Sequence, residues 1–390
     1  MEVLRNQGEK SVWPELLGLS LAGVILFSLI SITLMESFLA LAFVFWLIAL
    51  LRRETQLSFP GFFQPLLAYA ALSIVVCFFS VNPEVSFRDA RELLLYLVVP
   101  ITMSAAVSTH GRSWTTSALL ASGLTSSIYS IAYLVIKSRP GERVHGFMGH
   151  YMTQAGLLLL FICAALSLWL FLKDRRRCLW GAGFVLAIVS LALTLTRSAW
   201  VGVVVAAAFI LLLYRPKALL LIPVIIALFF LVSPQPMKRR ALSTFSLLAS
   251  SPALRIEYLK AGWLIIRDFP LHGTGPDTVD MVFQNPKYGL SEVGRQNVHL
   301  HNNLVQIAAE RGLPTFLAWM TFIVWAFVSL LKLLRDRDSA VFPYAATAAA
   351  ALLGLFTAGL FEYNFADSEV AVLFLYLLTL PFAFPKKVKP

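Results

Sequence analysis

Four groups of residues carry side chains whose chemistry is useful only in a particular setting. Arg197 stands between two long apolar runs, in Thr194-Leu195-Thr196-Arg197-Ser198-Ala199-Trp200. A guanidinium between membrane helices is expensive and usually has an anionic partner or a site to serve; the alternative is an arginine snorkelling to the interface beside Trp200. Arg255 follows in a stretch of mixed charge, with Tyr258, Trp263 and then His272-Gly273-Thr274-Gly275. Taken alone it reads as one charge on a solvated helix face. The third group is His299, His301, Asn302 and Asn303, followed by Glu310 and Arg311. Neutral imidazole is the side chain best suited to accept a proton near neutral pH. Two histidines at this spacing also suit a metal, but no third or fourth ligand of the usual pattern stands beside them. The fourth group is the stretch 137–151, with Lys137, Arg139, Arg143, His145, Gly146 and His150. It is either a polar connector or the source of a further arginine for an anionic head group.

Several familiar chemistries have no carrier in the chain. It has no glycine-rich phosphate loop with its lysine, no serine on a nucleophile elbow and no His-Glu-x-x-His zinc pattern. A diphosphate bound by these groups would be neutralised by arginines, whose planar fork suits phosphate oxygens, and neither a metal nor a cofactor is expected.

The elements that must position these groups are membrane helices. Hydrophobic residues make up 58% of the 390 residues and charged ones only 14%, whereas a soluble domain carries about 25% charged residues to wet its surface. Apolar runs at 15–32, 36–51, 62–80, 92–108, 114–136, 153–172, 178–195, 198–213, 217–232, 313–334, 340–361 and 368–384 approach or reach the length that crosses a bilayer as a helix. They predict an all-α polytopic membrane protein of about twelve spans. The net charge of +11 fits cytoplasmic loops and calls for no nucleic acid partner. Basic clusters at Arg52-Arg53, Arg112, Lys173 to Arg177, Lys332 to Arg337 and Lys386, Lys387 and Lys389 fall on alternate loops, and with Arg5 and Lys10 they place both termini inside. Cys77, Cys163 and Cys178 lie in or beside apolar runs and read as packing residues.

The chain divides into helices one to nine over 1–232, an outward loop over 233–312 and helices ten to twelve over 313–390. The loop opens with Ser233, Pro234 and the basic triplet Lys238 to Arg240. It continues through an amphipathic helix at 253–268 and a turn-rich stretch from Pro270 to Asp277, and a second helix runs from near Asn302 to Gly312. Loops this long between spans are uncommon unless they bind or catalyse. All four groups fall on the outward face.

In this order and sidedness the pieces resemble the O-antigen ligase and polymerase superfamily of membrane glycosyltransferases. The matching strings are Thr196-Arg197-Ser198-Ala199-Trp200, then Arg255…Trp263…Pro270-Leu271-His272-Gly273-Thr274-Gly275. The last is His299-Leu300-His301-Asn302-Asn303-Leu304 with Glu310-Arg311-Gly312-Leu313-Pro314 after it. Arg143 to Gly156 resembles the family's earlier outward loop more loosely, since His150-Tyr151-Met152 stands where a Pro-Asn pair is usual.

The resemblance implies a metal-independent enzyme of the bacterial inner membrane with its site facing the periplasm. It implies a donor glycan on undecaprenyl diphosphate and, as the favoured acceptor, a sugar hydroxyl of lipid A core. Carried over residue by residue, Arg197 and Arg255 grip the diphosphate and His301 stands near the acceptor hydroxyl, which makes these three the catalytic candidates. Arg143, His150, Trp200, His299 and Asn302 are the substrate-binding candidates. Transfer in one step inverts the anomeric centre, and no carboxylate or hydroxyl of the motifs is placed to form a covalent intermediate. A polymerase or a protein O-oligosaccharyltransferase of the same superfamily differs only in acceptor. A lipid-linked glycan transporter, the alternative from another class, should show broken helices near mid-membrane.

Overall fold

The structure, a computed structural model, describes residues 12–137, 142–173, 175–232, 235–242 and 250–385. Arg5, Lys10, Arg139, Ser233, Pro234, Lys386, Lys387 and Lys389 lie outside the described residues. Within them every regular element is a helix. In chain order these are α1 (Trp13–Phe27), α2 (Ile32–Leu51), α3 (Phe63–Cys77), α4 (Pro83–Asp89), α5 (Val98–Ala105), α6 (Thr109–Lys137), α7 (Tyr151–Phe171) and α8 (Arg177–Leu193). They continue as α9 (Arg197–Tyr214), α10 (Leu221–Val232), α11 (Gln235–Leu242), α12 (Ser250–Asp268), α13 (Glu292–Arg295), α14 (Asn303–Leu333), α15 (Phe342–Gly359) and α16 (Ser368–Thr379).

Six of these, α2, α6, α7, α9, α14 and α15, are long and apolar enough to cross a membrane. The apolar helices at 13–27, 63–77, 177–193, 216–232 and 368–383 are shorter. The run expected at 92–108 is not one α-helix: Ala90–Leu97 forms a 3-10 helix that leads into α5. Pro100 contributes at the joint between them, because it has no N–H for the carbonyl of Tyr96.

Helix α7 is apolar all round and is buried without interruption from Thr153 to Leu168, as such a helix must be. It packs on α8, α9, α15 and α16. The small side chains of Ala345 to Ala351 let α15 lie close to both α7 and α9, the usual way helices associate where lipid removes the hydrophobic drive between them.

The segment between α11 and α14 has a core of its own, built from Tyr258, Ile265, Val279, Phe283, Leu290 and Leu300. Its joint to the membrane part is Gly312, which interrupts α14 with φ 73°. The interruption frees the carbonyls of Ala309 and Glu310, which accept from the N–H groups of Thr274 and Gly275 at 2.9 and 2.8 Å. Leu313 N–H donates to the Pro270 carbonyl at 2.8 Å. The 270–275 turn is thereby stitched onto α14. A Cβ at Gly312 would run into the carbonyl of Leu271. Gly312→Ala is expected to destabilise the protein by about 1–3 kcal/mol, read as a lower Tm in detergent, and an unchanged Tm would contradict this role.

Candidate functional site

Arg197 is the first residue of α9 and is buried. Leu195, at φ 52°, turns the chain left-handed just before it, a conformation costly for a branched residue and held only where its surroundings enforce it. Arg143 supplies that enforcement. Its Nε donates to the Thr194 carbonyl at 3.0 Å, and its Nη2 donates to the Leu195 carbonyl at 3.3 Å and to Thr196 Oγ1 at 3.1 Å. The same guanidinium lies 3.3 Å from the centre of the Tyr151 ring. A buried arginine at a helix N-terminus adds its charge to the positive end of the helix dipole, an arrangement that suits an anion.

Next to it, Ser198 Oγ donates to Glu362 Oε2 at 2.8 Å. Burial pushes the Glu362 carboxyl up, while Ser198, Arg255 and Arg143 pull it back down. The charges of Arg255 and Arg143 thus both act on one carboxylate, which bonds the neighbour of Arg197. Glu362 lies in the turn between α15 and α16. In the sequence it shows only as a charge at the outer end of a span, and nothing there distinguishes it from an ordinary interfacial acid.

His301 sits at φ 49°. Asn297 Nδ2 donates to its Nε2 at 2.8 Å and to Tyr258 Oη at 3.1 Å, and Tyr258 Oη donates to the Gly294 carbonyl at 3.3 Å. The amide's orientation is fixed because Asn297 Oδ1 accepts from Val298 N–H at 3.1 Å. Burial, then the charge of Arg255, then that of His299 push the His301 pKa down to about 4. The ring is therefore neutral at physiological pH, accepts at Nε2 and carries its proton on Nδ1. No hydrogen-bond partner for Nδ1 stands among the described residues. His299 packs edge-on against Tyr363, with ring centres 5.2 Å apart, and its Nδ1 is buried without a hydrogen-bond partner. Burial lowers its pKa most; Asp280, a Val298 backbone bond and Asp89 act against that, and His150 adds to it.

Two sequence candidates are occupied elsewhere. Asn302 caps α14, its Oδ1 accepting from Leu304 and Val305 N–H at 2.9 and 3.1 Å while its Nδ2 donates to the Leu360 carbonyl at 2.8 Å. With Asn303, which bonds Asn364 in both directions, it ties α14 to the turn that carries Glu362. The Trp200 indole N–H donates to the Leu191 carbonyl at 3.2 Å, and its ring meets the edge of Phe229. Both side chains thus serve packing and positioning. His150 stands at the start of α7, exposed, with Nδ1 3.3 Å from Thr153 Oγ1.

Beneath the site lies a buried ion network. Arg311 Nη2 donates to Asp89 at 2.8 Å, and Arg311 Nη1 donates to Glu310 at 3.2 Å and to Tyr363 Oη at 3.3 Å. It joins α4, α14 and the α15–α16 turn. Asp89→Ala leaves a buried guanidinium without its closest anion, so a loss of about 3–5 kcal/mol is expected. Chemical denaturation in detergent measures it, and a loss below about 1 kcal/mol, the range of an exposed pair, would contradict it.

A groove of about 740 Å³ opens beside this network, with Glu36, Arg88, Asp89, Arg91, Glu92 and Asp277 among its lining residues. Four carboxylates against two guanidinium groups make it a poor place for a diphosphate, and Arg197, Arg255 and His301 are not in its lining. Among the described residues no three His, Cys, Asp or Glu side chains gather as a metal site.

Residues 182–320 match the family model described as O-antigen ligase. That span holds Arg197, Trp200, Arg255, His299, His301 and Asn302, whereas Arg143, His150, Glu362 and Asp367 fall outside it. A comparison with curated proteins found no match.

Proposed function

Because the chain belongs to the O-antigen ligase and polymerase superfamily, whose members are membrane glycosyltransferase-like enzymes, we propose that it transfers a glycan from undecaprenyl diphosphate to a sugar hydroxyl of lipid A core. In this reading the chain crosses the bacterial inner membrane twelve times with both termini in the cytoplasm, and the loop 233–312 faces the periplasm. What supports the proposal is that Arg255 and Arg143 both act on Glu362, which bonds Ser198 beside Arg197, and that Arg255 also acts on His301.

The residue types suit the reaction. As the glycosidic bond breaks, negative charge accumulates on the departing diphosphate, and guanidinium groups already in place stabilise that state more than the ground state. Arg197 and Arg255 have this role, with Arg143 and Glu362 holding the loops that aim them. His301 orients the acceptor oxygen through Nδ1–H. The hydroxyl oxygen attacks the anomeric carbon from the face opposite the leaving oxygen, which predicts inversion. The carboxylate-rich groove beside Asp89 repels a diphosphate, which favours the arginine cluster as the donor's place.

The experiment presents the purified protein in lipid nanodiscs with a synthetic undecaprenyl-diphosphate glycan and two acceptors, lipid A core and free repeat unit. Product on lipid A core supports the ligase assignment, and product only on the repeat unit replaces it with a polymerase. No glycan release with either acceptor overturns the enzymatic reading. Rates are expected to be the same in EDTA; activity that disappears with chelator and returns with a divalent cation would overturn the arginine mechanism.

A further inference from the structure

The attacking hydroxyl must lose a proton, and His301 is poorly placed to take it. Its Nε2 lone pair is engaged by Asn297 at 2.8 Å, and its other nitrogen already carries the ring proton. His299 has an unpartnered Nδ1, but that atom is sealed from solvent, so no acceptor sugar reaches it. The histidine with the right arrangement lies on a different element. Thr153 Oγ1 gives its one proton to Asp367 Oδ2 at 3.0 Å. Toward His150 it therefore accepts, at 3.3 Å from Nδ1, which, with Asp367 ionised, keeps the imidazole proton on Nδ1 and leaves Nε2 as a lone pair. Nothing among the described residues occupies Nε2, and His150 is exposed. The ring stacks on Tyr151, with centres 4.9 Å apart, whose carbonyl approaches Thr196 Oγ1 at 3.5 Å. Through Tyr151 and Arg143 it adjoins the turn that presents Arg197.

We propose that His150 is the general base of the transfer, with Thr153 and Asp367 as the positioning pair that keeps its Nε2 free and faces the imidazolium with a carboxylate. The assignment rests on the glycosyltransferase reading above. The acceptor oxygen bonds to the anomeric carbon, and the bond from that carbon to the diphosphate oxygen breaks and leaves its electron pair on the diphosphate. The hydroxyl proton passes to His150 Nε2. The positive charge so formed is balanced through Thr153 by Asp367, and the proton leaves to solvent after product departs.

The groups that face His150 are Arg143 and Tyr151 on its own strand of chain, Thr153 on α7, His299 on the segment before α14 and Asp367 at the start of α16. Burial pushes the Asp367 carboxyl up to about 7, with Glu369 and Glu362 adding to the rise, and the bond from Thr153 pulls it back down. Burial, then Arg143, hold the His150 pKa below its ordinary value, so the basic form persists to lower pH than in a free imidazole. The acid limb of the transfer rate should accordingly lie below about pH 6.5, and Arg143→Gln should move it upward.

The test measures kcat against pH, with binding of the undecaprenyl-diphosphate donor as a control, in the full chain in nanodiscs. His150→Gln should lower kcat by about 10²–10⁴-fold, retain donor binding and lose the acid limb, and His150→Gly should regain rate with added imidazole. Thr153→Val, which keeps the side chain's shape, should lower kcat about tenfold and move the limb. Full kcat in His150→Gln, or an acid limb unmoved in Arg143→Gln and Thr153→Val, overturns the assignment and leaves the glycosyltransferase reading intact. Absence of transfer by the wild-type chain counts against that reading itself.

Discussion

Arg255→Ala should reduce glycan transfer by about 10²–10³-fold, the loss typical when one preorganised donor to a developing oxyanion is removed. The reduction should appear in both kcat and donor affinity, because in the proposed mechanism the guanidinium holds the diphosphate before the bond breaks and holds it more strongly as charge builds. Arg255→Lys should recover only part of the loss, since an ammonium supplies the charge without the planar fork. The substitution also has a signature away from the rate. Arg255 lowers the pKa of both Glu362 and His301, so its removal should raise both, and His301 should begin to protonate at a higher pH than about 4. NMR titration of labelled histidine follows that shift. Arg197→Ala should match Arg255→Ala in rate, and equal rates in wild type and either variant would remove both residues from the mechanism.

His301→Ala should lower kcat by about 10²–10³-fold with donor affinity within about twofold of wild type, near the limit a 0.4 kcal/mol difference sets. The split follows from where the ring stands. It is held by Asn297 and Tyr258, and the proposed mechanism gives it the acceptor hydroxyl and no part in gripping phosphate. Because burial and Arg255 keep it neutral down to about pH 4, it should not titrate across the pH range in which the enzyme works. The linkage has a definite sign. Between an unfolded value near 6.5 and the folded value of about 4, the unfolded chain binds the proton that the folded chain refuses. This contribution to stability is complete above that window and is lost as pH falls through it. A His301→Ala protein whose donor affinity collapsed while kcat held would reverse the assignment.

The parts of the site legible in the sequence are those whose residue types are costly in their setting. Arg197 between two apolar runs and the paired histidines at 299 and 301 stand out by residue type, and the roles proposed for them come from the family resemblance. Glu362 and Asp367 do not stand out. An acid at the outer end of a span looks like any interfacial charge until the fold brings Ser198 and Thr153 onto it. Asn302 reads in the sequence as a polar ligand, and the structure shows its side chain capping α14, a use that asparagine favours. The chain's helical nature followed from composition, but the 3-10 winding of Ala90–Leu97 is a local feature that hydrophobicity does not register. The left-handed backbone at Leu195 and His301 has no glycine to announce it. It arises from loops pinned at both ends, by Arg143 in one case and by Asn297 and Asn302 in the other.

Binding of undecaprenyl diphosphate to the detergent-purified protein, titrated in EDTA, bears most directly on the idea that fixed guanidinium groups do the work of a metal. Saturable binding by the wild type, weakened at least tenfold by Arg197→Ala and by Arg255→Ala and unaffected by added magnesium, is the expected outcome. Affinity that survives both substitutions, or that appears only when magnesium is supplied, would contradict it.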